Sequence, residues 1–281
     1  MNQSTSTADR LRARLAAQAD TGLAWLDEAA AGLAAGGSDR ALFAAFAAAP
    51  RQVGRDELDP AGAGDEAAMP LPGWTRDQAA RTLLLLARPA DEGFVPALDR
   101  LFAAADLAEL VCLYQALPLL PLPDRLAGRA AEGIRSNMLV VFKAVALGNP
   151  YPARWLDEGA WNQMVVKALF TGCALGGIIG LDQRANPALA RMLVDYARER
   201  RAAGRAVAPD LWRPVGPFAE GERALGELRH ALEGEDPAGA RAAALALSAS
   251  PDVAAAAILR SRPDLAAEVR DGRLSWDALA A

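Results

Sequence analysis

The sequence predicts an all-α protein: an irregular α-solenoid-like stack of short helices of the HEAT or armadillo kind, with a plain helical bundle as the alternative. Three observations support this prediction. Alanine, leucine, arginine and glutamate, which favour helices, dominate outside the loops. No stretch alternates apolar and polar residues for long enough to form a convincing strand. Short breaks rich in glycine, proline, serine and aspartate separate the remaining segments, and several place an Asp or Ser where it would cap the next helix.

These breaks divide the 281 residues into four predicted parts. Residues 1–50 form a helical hairpin, 51–74 a loop or linker rich in proline and glycine, 75–233 the main helical body, and 234–281 a set of C-terminal helical repeats. The solenoid prediction depends on the last part, where short alanine-rich helices follow one another with tight turns, at 236–248, 251–260, 263–270 and 275–280.

Composition excludes several classes of function. The chain carries a net charge of −5 and 52% hydrophobic residues, which argues against a nucleic-acid partner and against long disorder. His230 is the only histidine, so sites built from several histidines are absent. Cys112 and Cys173 lie far apart in apolar stretches and are interpreted as small core residues. We expect no metal, no cofactor and no disulfide framework.

Residues 138–218 differ from the rest of the chain. Lys143 and Lys167 are the only lysines among 30 basic residues, and both lie in this segment. The stretches 134–147 and 160–171 are apolar nearly all round, which is typical of buried helices. A buried ammonium group needs a carboxylate or carbonyl partner or loses its proton. The lysines are therefore predicted either to close buried ion pairs or to face a pocket that holds an acidic or carbonyl group.

The same segment supplies the other candidate ligand-binding residues. Two prolines stiffen the turn that carries Asn149 and Tyr151. An irregular loop carries Asp182 and Arg184, and it ends at Asn186-Pro187, which is predicted to start a helix. With the lysines, the full candidate set is Lys143, Asn149, Tyr151, Trp161, Asn162, Gln163, Lys167, Asp182, Arg184, Asp195, Arg198 and Glu199. The charges on the helix 187–201 are equally typical of a solvated face.

Five stretches in this order resemble the EboA family: Asn149-Pro-Tyr-Pro, Trp161-Asn-Gln-Met-Val-Val-Lys-Ala, Gly180-Leu-Asp-Gln-Arg-Ala-Asn, Asp195-Tyr-Ala-Arg-Glu-Arg and Asp210-Leu-Trp-Arg-Pro-Val-Gly. The resemblance covers roughly residues 132–218. It implies a small gene cluster that also encodes a UbiA-type prenyltransferase and metal-dependent TIM-barrel-like proteins. In cyanobacteria such clusters are associated with moving precursors of scytonemin to the periplasm. The resemblance supplies no catalytic residues. The family's His-Glu-Arg-Trp is Arg198-Glu199-Arg200-Arg201 in this chain.

Three hypotheses for function follow. The first is a non-enzymatic helical accessory or binding protein that serves export of a secondary-metabolite precursor, with other ebo-cluster proteins as partners and a small molecule as ligand. The second is an enzyme that uses Lys167 or Lys143 as base or electrophile, with Asp182 or Glu199 as its partner and the amides of Asn162 and Gln163 orienting the substrate.

The third hypothesis is a peripheral membrane adaptor for a prenyltransferase, suggested by Arg10, Arg12 and Arg14 near the start. The N-terminus lacks the apolar run of a secretory signal, and lysines or glycines interrupt the most apolar stretches. We therefore expect a cytoplasmic protein without a transmembrane segment.

Overall fold

The computed structural model describes residues 6–58 and 73–280, and it confirms the all-α class. In the described residues the only pairing of extended backbone is one isolated antiparallel bridge, between Glu57 and Thr75. Most of the predicted loop at 51–74 lies outside the described residues, and its first residues, through Val53, are helical. The solenoid arrangement stays a prediction.

The chain divides into two compact units, Met1–Trp155 (unit 1) and Leu156–Ala281 (unit 2). The four-part division made from the sequence stays a prediction. Unit 1 contains nine α-helices within the described residues: α1 Thr7–Gln18, α2 Leu23–Ala34, α3 Asp39–Val53, α4 Arg76–Ala87, α5 Phe94–Ala104, α6 Leu107–Ala116, α7 Ala127–Arg135, α8 Leu139–Ala146 and α9 Tyr151–Trp155. Three helices therefore precede the loop, where the sequence suggested the two of a hairpin.

In unit 1, α4 is the central helix because α1, α2, α3 and α6 all pack against it. It buries Leu83, Leu84 and Leu85, but also three charged residues, Arg76, Asp77 and Arg81. Arg81 donates to an Asp77 carboxylate oxygen at 2.9 Å and to the Phe46 carbonyl at 2.9 Å, so its charge is paired inside the core.

The predicted continuous apolar helix over 134–147 is wrong. α7 ends at Arg135, three residues follow, and α8 begins at Leu139. Ser136 accepts a hydrogen bond from the Met138 backbone N–H at 3.1 Å, which forms a tight turn between the two helices. The break puts residues 138–140 on the surface, while Val141 and Phe142 anchor α8 in the core.

Unit 2 contains seven α-helices within the described residues: α10 Glu158–Phe170, α11 Pro187–Ala202, α12 Gly221–Glu233, α13 Pro237–Ala249, α14 Val253–Leu259, α15 Pro263–Arg270 and α16 Trp276–Ala280. Three short 3-10 turns, Leu175–Gly177, Pro209–Trp212 and Gly216–Phe218, connect them. The predicted caps are confirmed, since Asn186, Asp236 and Asp252 each accept from the first turn of the following helix.

The centre of unit 2 is α13, which contacts α12, α14, α15, α16 and two of the 3-10 turns. Most of its buried residues are alanine or glycine, so neighbouring backbones can come close. A Cβ atom on Gly216 would lie 2.9 Å from the Ala246 backbone, which explains why this position in the neighbouring turn carries none.

The prediction that α10 is buried on every side is also wrong. Trp161, Met164, Val165 and Ala168 form a buried stripe at helical spacing. On the other side Gln163 is exposed, and Phe170 is 79% exposed. Among the described residues, none of the helices has the length and apolar character needed to cross a bilayer.

Candidate functional site

The candidate site is a cavity of about 360 Å³ in unit 2. Its volume is at the small end of the range for ligand pockets, roughly 300–1,000 Å³. Its walls come from the end of α10, the loop after it, the turn Pro209–Trp212, the first turn of α13, and α16. Apolar groups predominate, and the largest of them are Leu169, Pro209, Trp276 and Leu279.

Asp210 and Arg213 provide the charged part of the cavity wall. Arg213 donates from Nε and Nη2 to the two carboxylate oxygens of Asp182, at 2.8 and 2.7 Å. Asp210 accepts from the Leu175 backbone N–H at 2.6 Å, which ties the 3-10 turn to the loop after α10. The two-point ion pair fixes the Arg213 guanidinium in position beside an apolar space.

The charged edge of the cavity, formed by Asp210 and Arg213 with its partner Asp182, is predominantly negative. The hydrogen bonds that Arg213 donates to Asp182 raise the pKa of Arg213, and the charges of Asp277 and Asp210 raise it further. Of the two charged residues in the cavity wall, Asp210 is anionic, and the Arg213 cation is already bound by Asp182. Such an edge disfavours a negatively charged group and accepts a neutral one that can hydrogen-bond.

Glycines leave room around the same space. A Cβ atom built on Gly176, which lines the cavity, would meet no atom within 4 Å. Cys173 lines the cavity as well, and its buried sulfur lies 3.5 Å from the Thr171 hydroxyl. The site can enclose a compact apolar molecule and offer it polar contacts at one edge.

Three candidate residues from the sequence, Trp161, Asn162 and Arg184, lie together near the start of α10, have structural partners and do not line the cavity. Asn162 and Asn186 exchange hydrogen bonds between their side-chain amides, at 2.8 and 3.3 Å, and Asn186 also caps α11. Arg184 donates to the Leu156 carbonyl at 3.0 Å and stacks over the buried Trp161 ring at 5.0 Å. These contacts connect two of the motifs that carry the family resemblance.

Asn149 and Tyr151 are buried together in unit 1. The Asn149 amide donates to the carbonyls of Tyr114 and Ala144, each at 3.0 Å, and its oxygen accepts from the Tyr151 backbone. The Tyr151 hydroxyl donates to the Pro123 carbonyl at 2.5 Å, and burial raises its pKa above the usual value. Both side chains hold the turn before α9 in place.

The expectation of two deeply buried lysines is wrong for Lys143, which is exposed on α8. Although the sequence of α8 is almost wholly apolar, the helix buries Val141, Phe142 and Val145 and leaves Leu139, Val140 and Lys143 exposed. Lys167 is half-buried on α10, and burial lowers the pKa of its ammonium group. Asp182, one of the two alternative partners in the enzyme hypothesis, is held by Arg213. The enzyme hypothesis stays a prediction.

The remaining candidates lie on one face of α11. Asp195 pairs with Arg223, and Glu199 is exposed. Arg198 lies 3.6 Å from the buried carboxylate of Glu227, which Arg201 binds at two points, at 3.0 and 2.6 Å. This cluster joins α11 to α12 by ion pairs.

Sequence reasoning missed most of the cavity. Asp210 and Arg213 belong to the motif Asp210-Leu-Trp-Arg-Pro-Val-Gly but are not in the candidate set predicted from the sequence. Cys173 is interpreted there as a core residue. Trp276 and Leu279 carried no signal at all. Within the described residues, no three His, Cys, Asp or Glu side chains are grouped as metal ligands.

The fold and the cavity define an all-helical protein whose second unit has a ligand-sized, mainly apolar site. The chain belongs to the EboA family: the family model described as metabolite traffic protein EboA matches residues 7–216. No curated protein and no solved structure matches the chain. The matched residues include most of the cavity wall, while Ala238, Trp276 and Leu279 lie beyond them.

Proposed function

We propose that this chain is a non-enzymatic binding protein for a small, uncharged, mainly apolar metabolite, held in the cavity of unit 2. The observation that carries the proposal is the combination of an apolar cavity with an acid-rich edge around Arg213. The family description, metabolite traffic, supports a role in handling such a molecule.

The charged edge of the cavity also favours an uncharged ligand over an anionic one. A phosphorylated or carboxylated ligand would meet Asp210 in the cavity wall, while Arg213, the cation among the lining residues, is already bound by Asp182. A neutral ligand avoids this repulsion and still finds hydrogen-bond donors and acceptors. Burial of its apolar part contributes roughly 25 cal/mol for each Å² removed from water.

The finer part of the proposal follows from the family resemblance. We propose in addition that the chain is an accessory protein of an ebo-type gene cluster and serves the export of a scytonemin-like secondary-metabolite precursor. This precursor would be linked to isoprenoid metabolism. The partners of the chain are then other proteins of that cluster. Native mass spectrometry of the chain purified from its own cells tests this part, because a bound neutral metabolite is expected there.

A matched pair of fluorescent probes tests the binding function. N-phenyl-1-naphthylamine is neutral, whereas 8-anilinonaphthalene-1-sulfonate has the same skeleton with one sulfonate added. We expect the neutral probe to bind and the anion to bind more weakly. The variant Gly176→Leu is expected to weaken binding of the neutral probe at least about tenfold, equivalent to about 1.4 kcal/mol, because the new side chain occupies space at the cavity.

Gly128→Leu is the matched control. Gly128 lies exposed in unit 1, and a Cβ atom there also meets no atom within 4 Å. It is expected to leave binding unchanged. Equal affinities of wild type and Gly176→Leu for the neutral probe, or stronger binding of the sulfonate, would contradict the proposal.

A further inference from the structure

The corner between α7 and α8 in unit 1 exposes three successive apolar side chains. Met138 is 45% exposed, Leu139 41% and Val140 49%. Further along the same unit, Trp155 at the end of α9 is 38% exposed. Large apolar residues exposed one at a time are ordinary, but three in a row at a helix corner indicate a contact surface.

The corner is held firmly by what lies beneath it. Val141, Phe142 and Val145 are buried in the core of unit 1, and Ser136 fixes the turn through the Met138 backbone. The three exposed side chains therefore project from a packed helix end. Because they are consecutive, they form a small protruding tip and not the stripe at three- and four-residue spacing that a partner helix needs.

Along the sequence, the charges nearest to the tip all have one sign. Between Gly133 and Leu156 the chain carries Arg135, Lys143 and Arg154 and not one carboxylate, although its net charge is −5. All three cationic residues are exposed. Lys143 shares a face of α8 with Leu139 and Val140, which precede it by four and three residues.

We propose that this corner, Met138–Val140 with Arg135, Lys143 and Arg154, binds an anionic phospholipid surface. The apolar tip enters the boundary between headgroups and acyl chains, and the cations contact lipid phosphates. Trp155 adds an aromatic side chain of the kind enriched at that boundary. Charge complementarity favours this partner, since an acidic protein here presents three exposed basic residues, with no carboxylate between them in sequence, beside an exposed apolar tip.

This assignment places the membrane contact away from the N-terminal arginines that suggested one in the sequence. Arg12 is held by Asp27, with two hydrogen bonds of 2.6 Å, and is therefore neutralised within the protein. The proposal is also independent of the cavity in unit 2, so either can fail without the other.

Vesicle flotation of the full chain tests it. Vesicles of phosphatidylcholine with 30% phosphatidylglycerol are compared with pure phosphatidylcholine, at low and at high salt. We expect binding to the anionic vesicles that salt weakens. The triple variant Met138→Ser/Leu139→Ser/Val140→Ser is expected to lose at least about tenfold in partitioning, and Arg135→Glu/Lys143→Glu at least about fivefold for each cation removed.

Val253→Ser is the matched control, because Val253 is a 92% exposed apolar residue elsewhere in the chain. It is expected to bind as the wild type does, and circular dichroism checks that every variant is folded. Wild-type binding by the triple variant would overturn the proposal. Failure of the wild type to bind the anionic vesicles would overturn it as well. If the wild type instead formed a dimer that the triple substitution abolished, the surface would bind a second copy of the chain.

Discussion

Replacing Arg76 with methionine is expected to lower the free energy of unfolding by about 3–5 kcal/mol. Arg76 is only 2% exposed. Its guanidinium donates to the carbonyls of Leu15 and Ala19 at the end of α1, each at 3.0 Å, to that of Thr21 at 3.3 Å, and to that of Val53 at the end of α3, at 2.8 Å.

These carbonyls lie near helix ends, where intrahelical donors run out. Methionine fills similar space but removes the donors to the carbonyls of Ala19, Thr21 and Val53, whereas the Leu15 carbonyl keeps the Ala19 backbone N–H at 3.2 Å. Arg76→Lys is expected to destabilise as well, since one ammonium group cannot reach the same set of acceptors. Urea denaturation followed by circular dichroism measures the effect. The exposed Arg51 of α3 provides the control, and Arg51→Met is expected to change stability by less than about 0.5 kcal/mol. A loss below 1 kcal/mol for Arg76→Met would show that the carbonyls find other donors.

The second large effect is expected for Gly22→Ala. Gly22 precedes α2 with φ of +75°, and a Cβ atom there would lie 2.2 Å from the Gln52 carbonyl oxygen. The alanine therefore meets both an unfavourable backbone conformation and the backbone of α3, which cannot move without shifting a whole helix. We expect a loss of more than about 3 kcal/mol, seen as a large fall in Tm.

Two other glycines of the same region separate these causes. Gly36 has φ of +92° but open space around its Cβ position, so Gly36→Ala is expected to cost only about 1–2 kcal/mol. Gly32, inside α2, has neither constraint, and Gly32→Ala is expected to stabilise by about 0.5–1 kcal/mol. If Gly22→Ala cost no more than Gly36→Ala, the close approach of α2 to α3 would be refuted.

The sequence predicts the helices well because their signals are local. Asn186 and Pro187 mark the start of α11, and Asp252 marks that of α14, through contacts within three residues. Which side of a helix faces water, in contrast, depends on the tertiary structure. Both α8 and α10 have apolar residues on nearly every side of the helix. Lys143 and Phe170 are nevertheless exposed, because one side of each helix faces solvent.

The site was less predictable for the same physical reason. Asp182 was a candidate, but its partner Arg213 lies 31 residues further along, and no short-range pattern relates them. Trp276 reaches the cavity from the end of the chain. The buried guanidinium of Arg76 was missed because it joins helix ends up to 61 residues away in sequence.

The division of the cavity wall has a consequence for ligand selection. The loop after α10 and the segment with Asp210 and Arg213 lie within residues 7–216, which the family model matches, whereas Trp276 and Leu279 lie beyond them. Under the proposed function, substitutions in α16 are expected to change which ligand is bound without altering any residue that the family model matches.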